Sequence, residues 1–218
     1  PEADKKGYDK FNYYFSYETR LDKYVKNLSA FYYSEYWDGL ELYKFGVSQG
    51  IRKNSAITLY AKFFARPYDT KLNHLLYPGE WQSGQWNTSF NLEWDHKYRY
   101  AKGTGSINAT LRSSALFSDY DYHYLTATAI NHTKLWRFEL HSRAYMRIGT
   151  GSNQAPESAL FLAGANPEEL MDQPLVRSIG YVPPTWVGSY GAGTNHFQQG
   201  GGLNLRGYAG YYVVEEDG

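Results

Sequence analysis

The sequence predicts an all-β protein, a transmembrane antiparallel β-barrel. Three observations carry that expectation. Long segments alternate apolar and polar residues, as a strand with one apolar face does. Short connections alternate with long ones. No apolar run approaches the roughly 20 residues that a spanning helix needs; the longest wholly apolar or small stretch is "ALFLAGA". A mean hydropathy of −0.62 is compatible with membrane strands, because only half of each is apolar.

The strands follow in chain order. In "FNYYFSYETRL", Phe11, Tyr13, Phe15, Tyr17 and Leu21 share one parity, and Asn12, Ser16, Glu18 and Arg20 the other. "NLSAFYYSEYW" and "LELYKFGVSQGI" are strand-like in composition but ambiguous in phase. "SAITLYAKFFAR" sets Ile57, Leu59, Ala61 and Phe63 against Thr58, Tyr60, Lys62 and Arg66. "WNTSFNLEWD" sets Trp86, Phe90, Leu92 and Trp94 against Asn87, Ser89, Asn91, Glu93 and Asp95. "AKGTGSINATLRSS" places Ala101, Ile107, Ala109 and Leu111 opposite Ser106, Asn108, Thr110 and Arg112. "DYHYLTATAIN" has Leu125, Ala127 and Ala129 on one side. In "LWRFELHSRAYMRI", Trp136, Phe138, Leu140, Ala144, Met146 and Ile148 oppose Arg137, Glu139, His141, Arg143 and Arg147. That makes about eight strands of roughly 10–14 residues, longer than the usual 5–6 and long enough for a tilted membrane strand.

The short polar connections are "DKYVK", "RKNS", "DHK" and "NHTK"; between them fall "WDG", 67–85, "ALFSDY" and 149–203. Short turns on one side and longer loops on the other suit an outer-membrane barrel, with the short turns periplasmic. A soluble β-sandwich also alternates. Against it stand the strand lengths and the tryptophans at expected strand ends, Trp37, Trp81, Trp86, Trp94 and Trp136, as an interfacial girdle would place them.

Composition narrows the function classes. Aromatics make up 18% of the 218 residues, far from ordinary soluble usage. With no cysteine, disulfide frameworks, thiolate metal sites and cysteine nucleophiles are excluded. A net charge of zero argues against wholesale nucleic-acid binding, which needs a basic face. The six histidines show no H-E-x-x-H spacing, and no G-x-S-x-G elbow occurs. No metal, cofactor or catalytic residue is therefore expected.

The opening PEADKKGYDK has no signal-peptide core. A further strand starts near "YAGYYVV", and an open barrel edge cannot face lipid. Residues 1–148 are therefore expected to form eight strands inside a larger barrel, 149–208 a long loop, and 209–218 the start of the next strand.

The long loop is rich in Gly, Pro and Asn. "NPEELMD" predicts a short helix with Asn166 as N-cap, Pro167 in first position, and Glu168 and Glu169 favourable to the helix dipole. "VPPTW" is a stiff extended piece. Phe161, Tyr181, Trp186, Tyr190 and Phe197 argue for packing rather than disorder. The loop ends in "GGGLNLRGY". Arg206 there offers five donors in a fixed fork; by itself it reads equally as a solvated loop arginine.

Leu205, Arg206, Gly207 and Tyr208, with Gly201 and Gly202 before them, resemble the [VIL]-R-G-[FY] motif of the outer-membrane protein assembly and secretion superfamily. That superfamily includes the BamA insertases, the two-partner secretion transporters and the bacterial surface antigen barrels. The resemblance implies a 16-stranded barrel, of which this chain supplies about strands four to eleven and the sixth extracellular loop. It also implies that the loop folds into the lumen, with Arg206 pinned to an acidic strand residue beyond this chain. Glu139 is an in-chain candidate for that partner. Arg137, His141, Arg143 and Arg147 share its wet face, and the basic row suits anionic or unfolded cargo. The implied setting is the bacterial outer membrane. Its lipid, unfolded or secreted polypeptides and accessory lipoproteins would be the partners, and no enzymatic chemistry would occur in this segment. Two alternatives stand beside it. One is a barrel anchor or export pore for a fused enzyme, patatin-like or a peptidase. The other is a porin or solute channel.

Overall fold

A computed structural model describes residues 13–37, 40–66, 84–115, 117–161, 165–172 and 201–203. Eight strands form one antiparallel sheet in sequence order. They are β1 (Tyr13–Arg20), β2 (Leu28–Trp37), β3 (Leu40–Arg52), β4 (Ser55–Ala65), β5 (Trp86–Tyr100), β6 (Gly103–Ser114), β7 (Asp121–Leu135) and β8 (Phe138–Asn153). Every strand pairs with its sequence neighbour; among the described residues β1 and β8 have one neighbour each. The helix α1 (Pro167–Asp172) and a 3-10 turn at Pro156–Ser158 lie beyond β8. No helix among the described residues is long and apolar enough to cross a membrane.

Each strand has an apolar and a polar face, and the register aligns them across the sheet. Val47, Leu59, Leu92, Leu111, Leu125 and Ile148 stand side by side on β3 to β8. All six are between 39% and 63% exposed. The opposite face carries Tyr60, Lys62, Arg66, Asn87, Asn91 and Arg112, all buried. The burial is therefore largely inverted: apolar side chains face outward while polar ones are covered, together with Leu40, Leu42 and Phe64 on the covered face. The two strands of ambiguous phase follow the same rule. On β2, Tyr33 and Glu35 lie on the polar side, and on β3 Phe45 stacks outward on Phe63 of β4 at 5.6 Å.

Three expected boundaries move. The segment Asp95–Lys97 is no turn, because β5 runs on to Tyr100 and turns at Ala101–Lys102. Likewise Asn131–Lys134 belongs to β7, and Trp136–Arg137 form the turn before β8. Trp136 is left-handed there, at φ 57°, so it and Arg137 leave the strand faces assigned to them. β8 continues past Ile148 to Asn153. The cause is common to all three: on a strand with one wet face, polar residues in mid-strand look like turn residues. Trp94 consequently lies inside β5 rather than at a strand end. There it begins a ladder of stacked rings, Trp94–His96–Tyr98–Tyr100, with centroids 5.8, 6.2 and 6.3 Å apart.

Candidate functional site: a polar face clamped by an acidic segment

The site is where residues 155–161 and 165–172 lie on the polar face of β2 to β8. Helix α1 is short but well started. Asn166 Oδ1 accepts from the Glu169 backbone N–H at 2.8 Å, and Glu169 Oε2 accepts from the Asn166 N–H at 2.9 Å. This reciprocal pair satisfies two donors that a helix start otherwise leaves free. Met171, fully buried, packs with Leu40, Leu42 and Phe64, and its carbonyl accepts from the Tyr33 hydroxyl at 2.8 Å. Ala155 joins Tyr120 and Tyr122 in a second cluster.

Charge then fixes the docking. Glu168 Oε1 lies 2.5 Å from Lys62 Nζ and 2.6 Å from Arg112 Nη1, bridging β4 and β6. Its other oxygen accepts from the Ser158 hydroxyl. Asp172 meets Lys62 at 2.6 Å and Lys44 at 4.0 Å. Glu157 lies 3.2 Å from Arg66 Nη2 and accepts from Asn87 Nδ2 at 2.8 Å. Arg147 donates to the Ser158 carbonyl at 3.1 Å, and its guanidinium lies 3.7 Å over the Tyr124 ring.

The loop carboxylates titrate as this geometry requires. Burial alone would push Glu168 up, but Arg112 and Lys62 beside it outweigh burial and hold it well below the usual range. For Glu157 burial dominates, only partly offset by Arg66, and its carboxyl is raised. Burial also raises Glu169, to about 7; the Asn166 N–H opposes that rise and Glu168 adds to it. A buried ion pair is often no more stabilising than a well-packed apolar pair, yet removing one partner costs about 3–5 kcal/mol. The clamp therefore determines where the segment sits more than it adds to stability.

The structure redistributes the residues singled out from sequence. Gly201 and Gly202 lie against β8, where their carbonyls accept from Arg143 Nη2, the first at 3.2 Å. Gly201 is left-handed at φ 82°, a conformation that glycine adopts without strain. Arg143 and Arg147 thus both hold the chain beyond β8. Leu205, Arg206, Gly207 and Tyr208 lie outside the described residues, as do "VPPTW", Trp81, Tyr181, Trp186, Tyr190, Phe197 and the segment 209–218. Glu139 is exposed and pairs with Lys134 at 3.4 Å and His141 at 3.9 Å, away from the clamp. Arg137 sits in the last turn over the Trp136 ring at 4.6 Å.

Lys62, Arg66 and Arg112 had the right face in the alternation but carried no role there, and Glu157 and Asp172 carried none either. The signal was present: the connection after β8 is acidic where the polar face of β4 and β6 is basic. Among the described residues no group of three or more His, Asp or Glu could hold a metal ion. The chemistry on view is retention of a polypeptide segment by charge-assisted hydrogen bonds. No family model, no curated protein and no solved structure matches the chain.

Proposed function

We propose that this chain is part of an outer-membrane β-barrel of the assembly and secretion type, resembling the BamA insertases and two-partner secretion transporters. In this reading the apolar face meets lipid and the polar face lines a lumen that residues 154–208 fold into. The segment does no covalent chemistry; it guides the insertion or translocation of unfolded polypeptide across the bacterial outer membrane. The observation that carries the reading is the exposed row from Val47 to Ile148, backed by a covered polar face. That polarity suits a wall between lipid and water. The Gly201-Gly202-x-x-Leu205-Arg206-Gly207-Tyr208 sequence supports the narrower family.

The chain lacks cysteine, so single cysteines can be introduced cleanly. Spin labels at Leu59→Cys, Leu92→Cys, Leu111→Cys and Leu125→Cys should be accessible to oxygen and shielded from a water-soluble nickel complex in lipid vesicles. Labels at Ser106→Cys and Thr128→Cys should show the reverse. A monomer that needs no detergent, with every label open to nickel, would falsify the membrane reading. The assembly role is tested separately. Protein in liposomes should accelerate folding of an unfolded outer-membrane barrel added outside. Steady conduction of small solutes without that acceleration favours a solute channel instead.

A further inference from the structure

The acidic segment covers only part of the polar face. Over the half nearest the β5–β6 and β7–β8 turns, among the described residues, nothing lies on it. That half is basic. Arg99 and Lys102 flank the β5–β6 turn, Lys134 and Arg137 the β7–β8 turn, and all four are exposed. Between the turns lies a groove of about 400 Å³, lined by Arg99, Lys102, Lys134, His132, His141 and a single carboxylate, Glu139. The His132 and His141 rings meet edge to face at 4.2 Å and form its floor. Farther along β5, Glu93 and Asp95 both accept from Asn108, at 2.8 and 2.9 Å, and mark the end of the basic stretch.

The covered half shows what this face holds. Its cations, Lys62, Arg66 and Arg112, are matched by carboxylates from a polypeptide segment. The uncovered half repeats the cations without the segment. We infer that the groove between the β5–β6 and β7–β8 turns is a second binding site for an acidic polypeptide segment. This deepens the translocation reading, and rests on it, by giving the cargo a chemical class. Glutamate or aspartate side chains would take the guanidinium of Arg99 in a forked contact and the ammonium groups of Lys102 and Lys134 as point charges. The open groove keeps these contacts exchangeable, unlike the buried ones under α1, as a passing chain requires.

The test uses a short fluorescein-labelled peptide of alternating glutamate and serine, titrated against the protein in zwitterionic micelles by fluorescence anisotropy. Binding is expected, weakening as ionic strength rises from about 0.05 to about 0.5 M. A peptide of alternating lysine and serine should not bind. Arg99→Glu and Lys134→Glu should each weaken binding about tenfold or more, the weight of a charge-assisted hydrogen bond. Lys53→Glu makes the same charge change in the β3–β4 turn and should leave the affinity unchanged. No binding, or equal losses in all three variants, overturns the site. So does displacement by phosphatidylglycerol at concentrations where acidic peptide does not compete, which would assign the groove to lipid phosphate. If the spin labels report lipid around the leucines and the peptide still fails to bind, this inference alone falls; if the labels fail, so does the membrane reading.

Discussion

Glu168 shows how much one side chain can decide. It accepts from two buried cations on different strands and from Ser158. Glu168→Ala would leave the buried Lys62 with Asp172 alone and take from the buried Arg112 the carboxylate that faces it. The expected cost is about 3–5 kcal/mol of docking free energy, visible as rapid trypsin cleavage after α1 while the strands resist. Unchanged protection would mean that the apolar contacts of Met171 suffice. The neighbouring carboxylates set a pH window. The Glu169 carboxyl is raised in the folded state to about 7. The docked form therefore binds the extra proton between the ordinary carboxylate value and 7, and docking weakens as pH rises through that range. Glu168 is depressed, so its contribution is complete above the ordinary carboxylate value and is lost as pH falls below it. Protease resistance of the segment should be highest near about 4.5 and fall as pH rises toward 7; Glu169→Gln should reduce that alkaline decline, the raised Glu157 carboxyl carrying the rest, and leave the acid side unchanged. At this scale the sequence told less than at any other. Residue types and parities were legible, but the pairing of Glu168 with Lys62 and Arg112 depends on which strands become neighbours and on where the chain beyond β8 returns.

Elements were more legible than residues. Six strands follow from period-two alternation and two, β2 and β3, from composition alone; α1 follows from Asn166, Pro167 and the acidic first turn, because each signal is local. What misled was polarity used as a turn marker. His96 lies within the ring ladder of β5 although its dipolar neighbours Asp95 and Lys97 suggested a turn. The ladder has its own packing logic. A Cβ added at Gly105 would come within 2.3 Å of the Tyr98 ring and 2.7 Å of the Ile130 carbonyl oxygen. The bare backbone of β6 is what lets the ring lie across it. Gly105→Ala should therefore displace Tyr98 and strain the β6–β7 pair, at about 1–3 kcal/mol. The midpoint of the heat-induced gel shift reads that loss, and a midpoint equal to wild type would show that the ring is free to swing aside.

For the whole molecule, the all-β class, the antiparallel neighbour order and the contrast between faces were all implied by the sequence. A loop returning onto the polar face was expected only through the family resemblance, and the residues that hold it there were not legible, since the contacts join residues far apart in the chain. The same contrast gives a prediction for the proposed bilayer setting. Leu92 sits in the middle of the exposed apolar row, between Leu59 and Leu111. Leu92→Arg should lower folding stability in lipid vesicles by about 2–4 kcal/mol, the cost of a cation near the bilayer midplane. A soluble sheet would tolerate the change within about 0.5 kcal/mol, as exposed positions usually do. Urea titration of the vesicle-folded protein separates the two.

The bridge that Glu168 makes has a temporal side. Lys62 and Arg112 share one face only after β4, β5 and β6 have paired in their final alignment. A slip of one residue between β5 and β6 would turn Arg112 to the apolar side, since side chains alternate with a period of two. Glu168 would then face Lys62 alone, without the second cation that completes its seat. The complete bridge therefore exists only on a sheet in register, so the docking of α1 reports on the alignment of strands that α1 does not belong to.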